Sequence, residues 1–109
     1  MITLLATFTI GGLLLSALAL PLILGRIAPN GLYGFRVRRT MENPELWYPV
    51  NRYSGTCLFV DGLLIVAASI GLSLVPGIGL DAYSLGVTAV LIVSLTISLV
   101  LTIRYMNSR

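Results

Sequence analysis

Histidine and lysine are absent from this 109-residue chain, and cysteine occurs once. Without histidine there is no proton switch centred near neutral pH and no histidine-built metal site. Cys57 alone cannot close an intrachain disulfide, and a single thiol does not report the redox compartment. Charge is scarce too. Only 10% of residues are charged, whereas a soluble domain carries about a quarter. The acids are Glu42, Glu45, Asp61 and Asp81, and no Ser–His, Cys–His, phosphate-loop or metal-ligand spacing accompanies them. These absences point away from an enzyme and from any cofactor. The basic residues are too few, and lie too close to apolar segments, for a nucleic-acid interface.

What the chain has in excess is apolar surface. Hydrophobic residues make up 57% of it and the mean hydropathy is +0.97. A soluble fold of this size would have to expose much of that surface, which monomeric proteins avoid. A bilayer removes the conflict. Three stretches are long enough to cross it at about 20 apolar residues each: 2–25, 57–75 and 82–103. No arginine precedes the first stretch and it is too long for a signal-peptide core, so it reads as a retained anchor. Gly12 and Ser16 form a small-xxx-small pair that lets another helix approach. Pro21 lies near the end of this span, where a kink is tolerated. Asp81 reads as a cap for the third span, whose six Ser/Thr hydroxyls can bond back to their own helix. The expected fold class is an all-α membrane protein, one domain over 1–109, with three transmembrane helices.

Segment 29–55 is the only long stretch that is not lipid-soluble, and the chain is organised around it. Ala28-Pro29-Asn30-Gly31 reads as a turn. Residues 32–39 have no clear period. Asn43-Pro44-Glu45 is a helix start, with Asn as N-cap, Pro at the first position and an acid at the positive dipole end. It should open a short interfacial helix, with Trp47 and Tyr48 at headgroup level. All seven arginines fall in residues 26–55 or in the tail: Arg26, Arg36, Arg38, Arg39, Arg52, Arg104 and Arg109. With three spans, both segments share one side. The positive-inside rule makes that side cytoplasmic, giving an N-out, C-in topology.

Asp61 is the only ionisable group within a span. Such residues usually face the bundle interior and have a partner. On one continuous helix Arg52 lies nine residues away and half a turn out of phase, so it should not pair with Asp61. Arg36, or a second protomer, is the expected source of a cation, while Ser54 and Cys57 share the face of Asp61. Arg38 and Arg39 read as contacts to anionic headgroups. Arg36, set in Tyr33-Gly34-Phe35-Arg36, reads as a guanidinium fork for a carboxylate or phosphate.

The run Pro29-Asn30-Gly31-Leu32-Tyr33-Gly34-Phe35-Arg36, followed by Arg39-Thr40, Asn43, Trp47, Asn51 and Gly55, resembles the signature of the SdpI family of bacterial integral membrane proteins. The resemblance covers segment 29–55, and the flanking spans match only as apolar helices. It implies a non-enzymatic immunity protein of the cell membrane, protecting a bacterium from a secreted SdpC-type toxin peptide. It also implies a part in holding a transcriptional regulator at the membrane. Larger members have six spans, and this chain is similar to the signature-bearing half. The motif marks Asn30, Gly31, Tyr33, Gly34, Phe35, Arg36, Thr40, Asn43, Trp47, Asn51 and Gly55 as binding residues. Arg39, Arg52 and Asp61 join them as charged groups. The expected partners are membrane lipids, the toxin peptide, a transcriptional regulator and a second copy of the chain. The alternative expectation is a small oligomeric transporter or a membrane protein that binds an anionic lipid or ligand, with Arg36 and Asp61 paired in a cavity.

Overall fold

A computed structural model describes residues 1–109 as four helices: α1 (Ile2–Ile23), α2 (Arg38–Glu42), α3 (Pro44–Ser73) and α4 (Leu80–Asn107). The three long ones are each apolar and long enough to cross a membrane. Helix α1 stops in a left-handed turn. Gly25 adopts φ +71°, and the N–H groups of Gly25 and Arg26 bond the carbonyls of Leu22 and Pro21, which closes the orphan C-terminal carbonyls. Pro21 sits in this last turn without ending the helix early.

Helix α3 is the central rod, with α1 and α4 both packed antiparallel along it. Lipid offers no hydrophobic drive for helix association, so close approach of backbones must supply it. The α1–α3 seam is accordingly built from small residues. Gly12 lies against the carbonyl of Gly62, the Ser16 hydroxyl donates to the carbonyl of Phe59 at 2.8 Å, and Gly55 lies against Ala19 and Leu22. The Gly12/Ser16 pair thus meets a helix, as its spacing predicts. Farther along, Ser69 bonds Thr9 at 3.1 Å and the Tyr83 hydroxyl at 2.7 Å. Phe8 meets the Tyr83 ring edge-on at 6.1 Å, so α1, α3 and α4 join at this end.

The expected short interfacial helix is not separate. It is the first part of α3, which runs 30 residues without interruption and so measures about 45 Å. Pro49 removes one bond, to the carbonyl of Glu45, but at an exposed turn that water can satisfy. Asn43 does occupy the N-cap position with Pro44 following, yet its side chain makes no cap bond. It donates backwards to the carbonyl of Arg39 at 2.9 Å. At α4 the N-cap is Gly79, and Asp81 lies inside the first turn. Because α3 is longer than the roughly 30 Å hydrocarbon core, its N-terminal turns project beyond it. Segment 24–43 folds around that projection as a lid, on the same end of the bundle as the C-terminus of α4.

Candidate functional site

The lid is held by side chains of its own signature. Asn30 closes an Asx turn: its Oδ1 accepts from the N–H of Leu32 (2.8 Å) and Tyr33 (2.7 Å), and its Nδ2 donates to the carbonyls of Ala28 and Tyr33. Asn51, on the buried face of α3, accepts the N–H of Phe35 on Oδ1 and donates to the carbonyl of Trp47 at 2.9 Å. Thr40 is fully buried. It accepts the N–H of Val37 at 3.1 Å and donates to the carbonyl of Phe35 at 2.8 Å. These bonds shape the short α2, which has too few residues to show a period in sequence.

Trp47 is also fully buried, and its Nε1–H donates to the carbonyl of Ile27 at 2.7 Å. It is therefore a post beneath the lid and not a residue of the lipid-facing belt. Gly34 passes directly over it at φ +107°, where a Cβ would come 2.7 Å from Asn51 Oδ1 and 3.2 Å from the Trp47 ring. Only glycine fits there. Gly31 needs no such freedom, since it has open space and an ordinary φ; it contributes its carbonyl, which accepts from Arg36. Tyr33 has a buried hydroxyl oxygen without a partner, and burial pushes its pKa above the usual tyrosine range.

The arginines lie on the outside of this assembly. Arg36 is exposed, with one nitrogen on the Gly31 carbonyl. Arg38 pairs with Glu42 at 3.1 Å across an exposed helical turn, an arrangement worth little energy. Arg39 ties the lid to the end of α4 through Asn107 Oδ1 at 2.6 Å. Arg52 donates its Nε–H to the carbonyl of Ile23 at 3.1 Å, just past the α1–α3 seam at Gly55.

Asp61 is only 4% exposed, and the expected pairing with Arg36 does not form. Its partner is a hydroxyl: Ser98 on α4 donates to Oδ2 at 2.6 Å. The reason is geometric. Arg36 belongs to the lid, beyond the N-terminal turns of α3, whereas Asp61 lies more than four helical turns further along that helix. Arg52 avoids Asp61 as its phase requires. Ser98 has a sequence signal that was available: Ser94, Ser98 and Thr102 recur every fourth residue, and all three are buried on one face of α4.

Beside this pair, α3 and α4 flank a groove of about 590 Å³. Its walls are mostly apolar and include Val60, Leu64, Val93 and Ile97, with Asp61, Ser94 and Ser98 as polar points. The apolar wall residues are about half exposed on the outer surface of the bundle. The groove therefore opens sideways, towards whatever surrounds the helices. Thus the signature residues other than Gly55 converge on the lid, Asp61 stands apart in the groove, and the two do not form one cavity.

Comparison with known proteins places this arrangement in context. Residues 26–106 match the SdpI/YfhL protein family. Uncharacterized protein YfhL of Bacillus subtilis (strain 168) is 39% identical over 64 residues, a match covering 59% of this chain and 56% of that protein. The chain thus aligns with little more than half the length of this relative. No solved structure matches it.

Proposed function

The chain belongs to the SdpI/YfhL family of multi-pass membrane proteins, and from that premise we propose that it is a non-enzymatic immunity protein, protecting a bacterium against a membrane-active toxin peptide. The observation that carries this reading is the lateral α3–α4 groove with Asp61 on its wall. Only a species already dissolved in the bilayer reaches a slot that opens between lipid-facing side chains. One oxygen of Asp61 is occupied by Ser98, and the other accepts no bond from the protein. An apolar peptide bearing a hydrogen-bond donor or cation finds there both a shape and an acceptor. Capture in the groove keeps the peptide from assembling elsewhere in the membrane. The lid then serves as a clamp that fixes the spacing of α1, α3 and α4. The transporter alternative loses its central feature, because Arg36 and Asp61 are not paired.

Expression of the protein in a sensitive bacterium should raise survival against an SdpC-type peptide. Asp61→Asn keeps an acceptor for Ser98 but turns the second oxygen into a donor. A bond to a charged group contributes about 1.5–3 kcal/mol, so the protective concentration range should shift about tenfold or more. Unchanged killing with abundant wild-type protein would reject the function. Full protection by Asp61→Asn would move the peptide out of the groove.

The same reading puts the lid in the cytoplasm, since every arginine lies at that end. Leu32, 91% exposed at the lid surface, provides the test. In a Cys57→Ala background, Leu32→Cys should react with a membrane-impermeant maleimide only after cells are permeabilised. Labelling of intact cells would invert the topology.

A further inference from the structure

A second pocket lies at the arginine end of the same two helices, and it is of the opposite character. About 640 Å³ in volume, it is lined by Arg52, Arg109, Tyr48, Tyr53 and Tyr105, and no acid lines it. Tyr53 and Tyr105 stack face to face at 4.5 Å and 8°, joining α3 to α4 as a flat floor. Arg109 lies 5.6 Å over the Tyr105 ring and donates to its hydroxyl at 3.1 Å, a cation–π contact that holds the guanidinium in place. Arg52 spends only its Nε–H on the protein, so its two terminal nitrogens have no partner. The pocket shares Thr56 and Cys57 with the apolar groove. An aromatic, doubly cationic seat therefore continues directly into an apolar slot.

We infer that this pocket binds the phosphate headgroup of an anionic phospholipid, with one acyl chain entering the groove past Thr56 and Cys57. Arginine presents planar paired donors suited to phosphate oxygens, and basic pockets between helices at the membrane surface seat such headgroups. The continuity with the groove selects an amphiphile over free phosphate. The absence of an acid among the lining residues disfavours a headgroup carrying its own ammonium. This inference goes beyond toxin immunity and does not depend on it, since it needs neither the peptide nor Asp61.

The test uses the full chain purified in uncharged detergent and exchanged into nanodiscs of phosphatidylcholine with or without phosphatidylglycerol. Lipid retention is read by native mass spectrometry after release. The wild type should retain phosphatidylglycerol in preference to phosphatidylcholine. A basic group near the surface contributes about 1 kcal/mol, or about fivefold in affinity, so Arg52→Gln and Arg109→Gln should each lower that preference by about this factor. Arg52→Lys should restore only part of it, because the charge returns without the planar donors. Arg52 also holds Ile23, whereas the Arg109 side chain lies beyond α4 and bonds only Tyr105, so Arg109→Gln decides the matter if Arg52→Gln disturbs folding. Equal retention of both lipids would overturn the inference. So would a preference unchanged in Arg109→Gln, or inorganic phosphate competing as well as the lipid does.

Discussion

Gly62→Val is expected to part α1 from α3 and to leave no cooperative thermal unfolding transition in detergent. A Cβ at Gly62 would overlap the Ser16 hydroxyl and lie 2.5 Å from the carbonyl of Gly12 and 2.9 Å from the amide of Ser16. Two of these neighbours are backbone, so no rotamer change relieves them. Overpacking a core ordinarily costs about 1–3 kcal/mol and sometimes more, and the branched Val side chain should exceed that range. Relaxation by separating the helices would break the Ser16–Phe59 bond and the close contacts that stand in for a hydrophobic drive. Gly11 provides the control. It neighbours Gly12 in sequence but has open space around it, so Gly11→Ala should match or slightly exceed the wild type in stability. Equal melting temperatures for Gly62→Val and Gly11→Ala would show that the seam does not hold the fold.

The seam was half visible in the sequence. Gly12 and Ser16 stand four apart in α1, and that spacing identifies a contact face, but nothing in a single chain says that Gly62 is the residue facing them. The spans were plain because length and apolarity alone define them. The shared end of all the arginines followed from counting three crossings. The continuity of α3 through Pro49 was hidden, because a proline one and a half turns into a helix reads locally as a kink or as the close of a first turn. Only the burial of Val50, Asn51 and Ser54 against neighbouring elements shows why the helix continues.

The lid was legible as a motif and illegible as a mechanism. Tyr33-Gly34-Phe35-Arg36 suggested that Arg36 was the centre of a binding site, yet the polar side chains around it are mostly spent on each other's backbone. Asn30, Thr40 and Asn51 satisfy carbonyls and amides that a loop without regular structure would otherwise leave open. Asp61 was visible as an anomaly, since a carboxyl group within an apolar run demands a partner. A charged partner is the first expectation because charge is conspicuous in a sequence. A serine in a helix is not, although the Ser94, Ser98, Thr102 spacing carried the information.

Trp47→Ala should undock the lid while leaving the three long helices formed. The side chain is fully buried, and removing a buried Trp costs about 3–5 kcal/mol. The loss also frees the carbonyl of Ile27 and empties the space beneath Gly34. Because the lid is joined to the bundle mainly through α3, that energy should be lost locally, in a segment that opens before the whole protein does. Trypsin reports the opening, since Arg36, Arg38 and Arg39 all lie in the lid and are exposed as side chains. The adjoining backbone at Phe35 and Val37 is held in the wild type by bonds to Thr40 and Asn51. The variant should be cut there at least tenfold faster, with helical circular dichroism preserved, whereas Tyr48→Ala, on the exposed side of the same turn, should be cut at the wild-type rate. If cleavage is unchanged in Trp47→Ala, the lid does not rest on this post. If helicity collapses along with protection, the lid is part of what folds the bundle, and the signature then specifies the membrane domain as a whole and not an appendage on it.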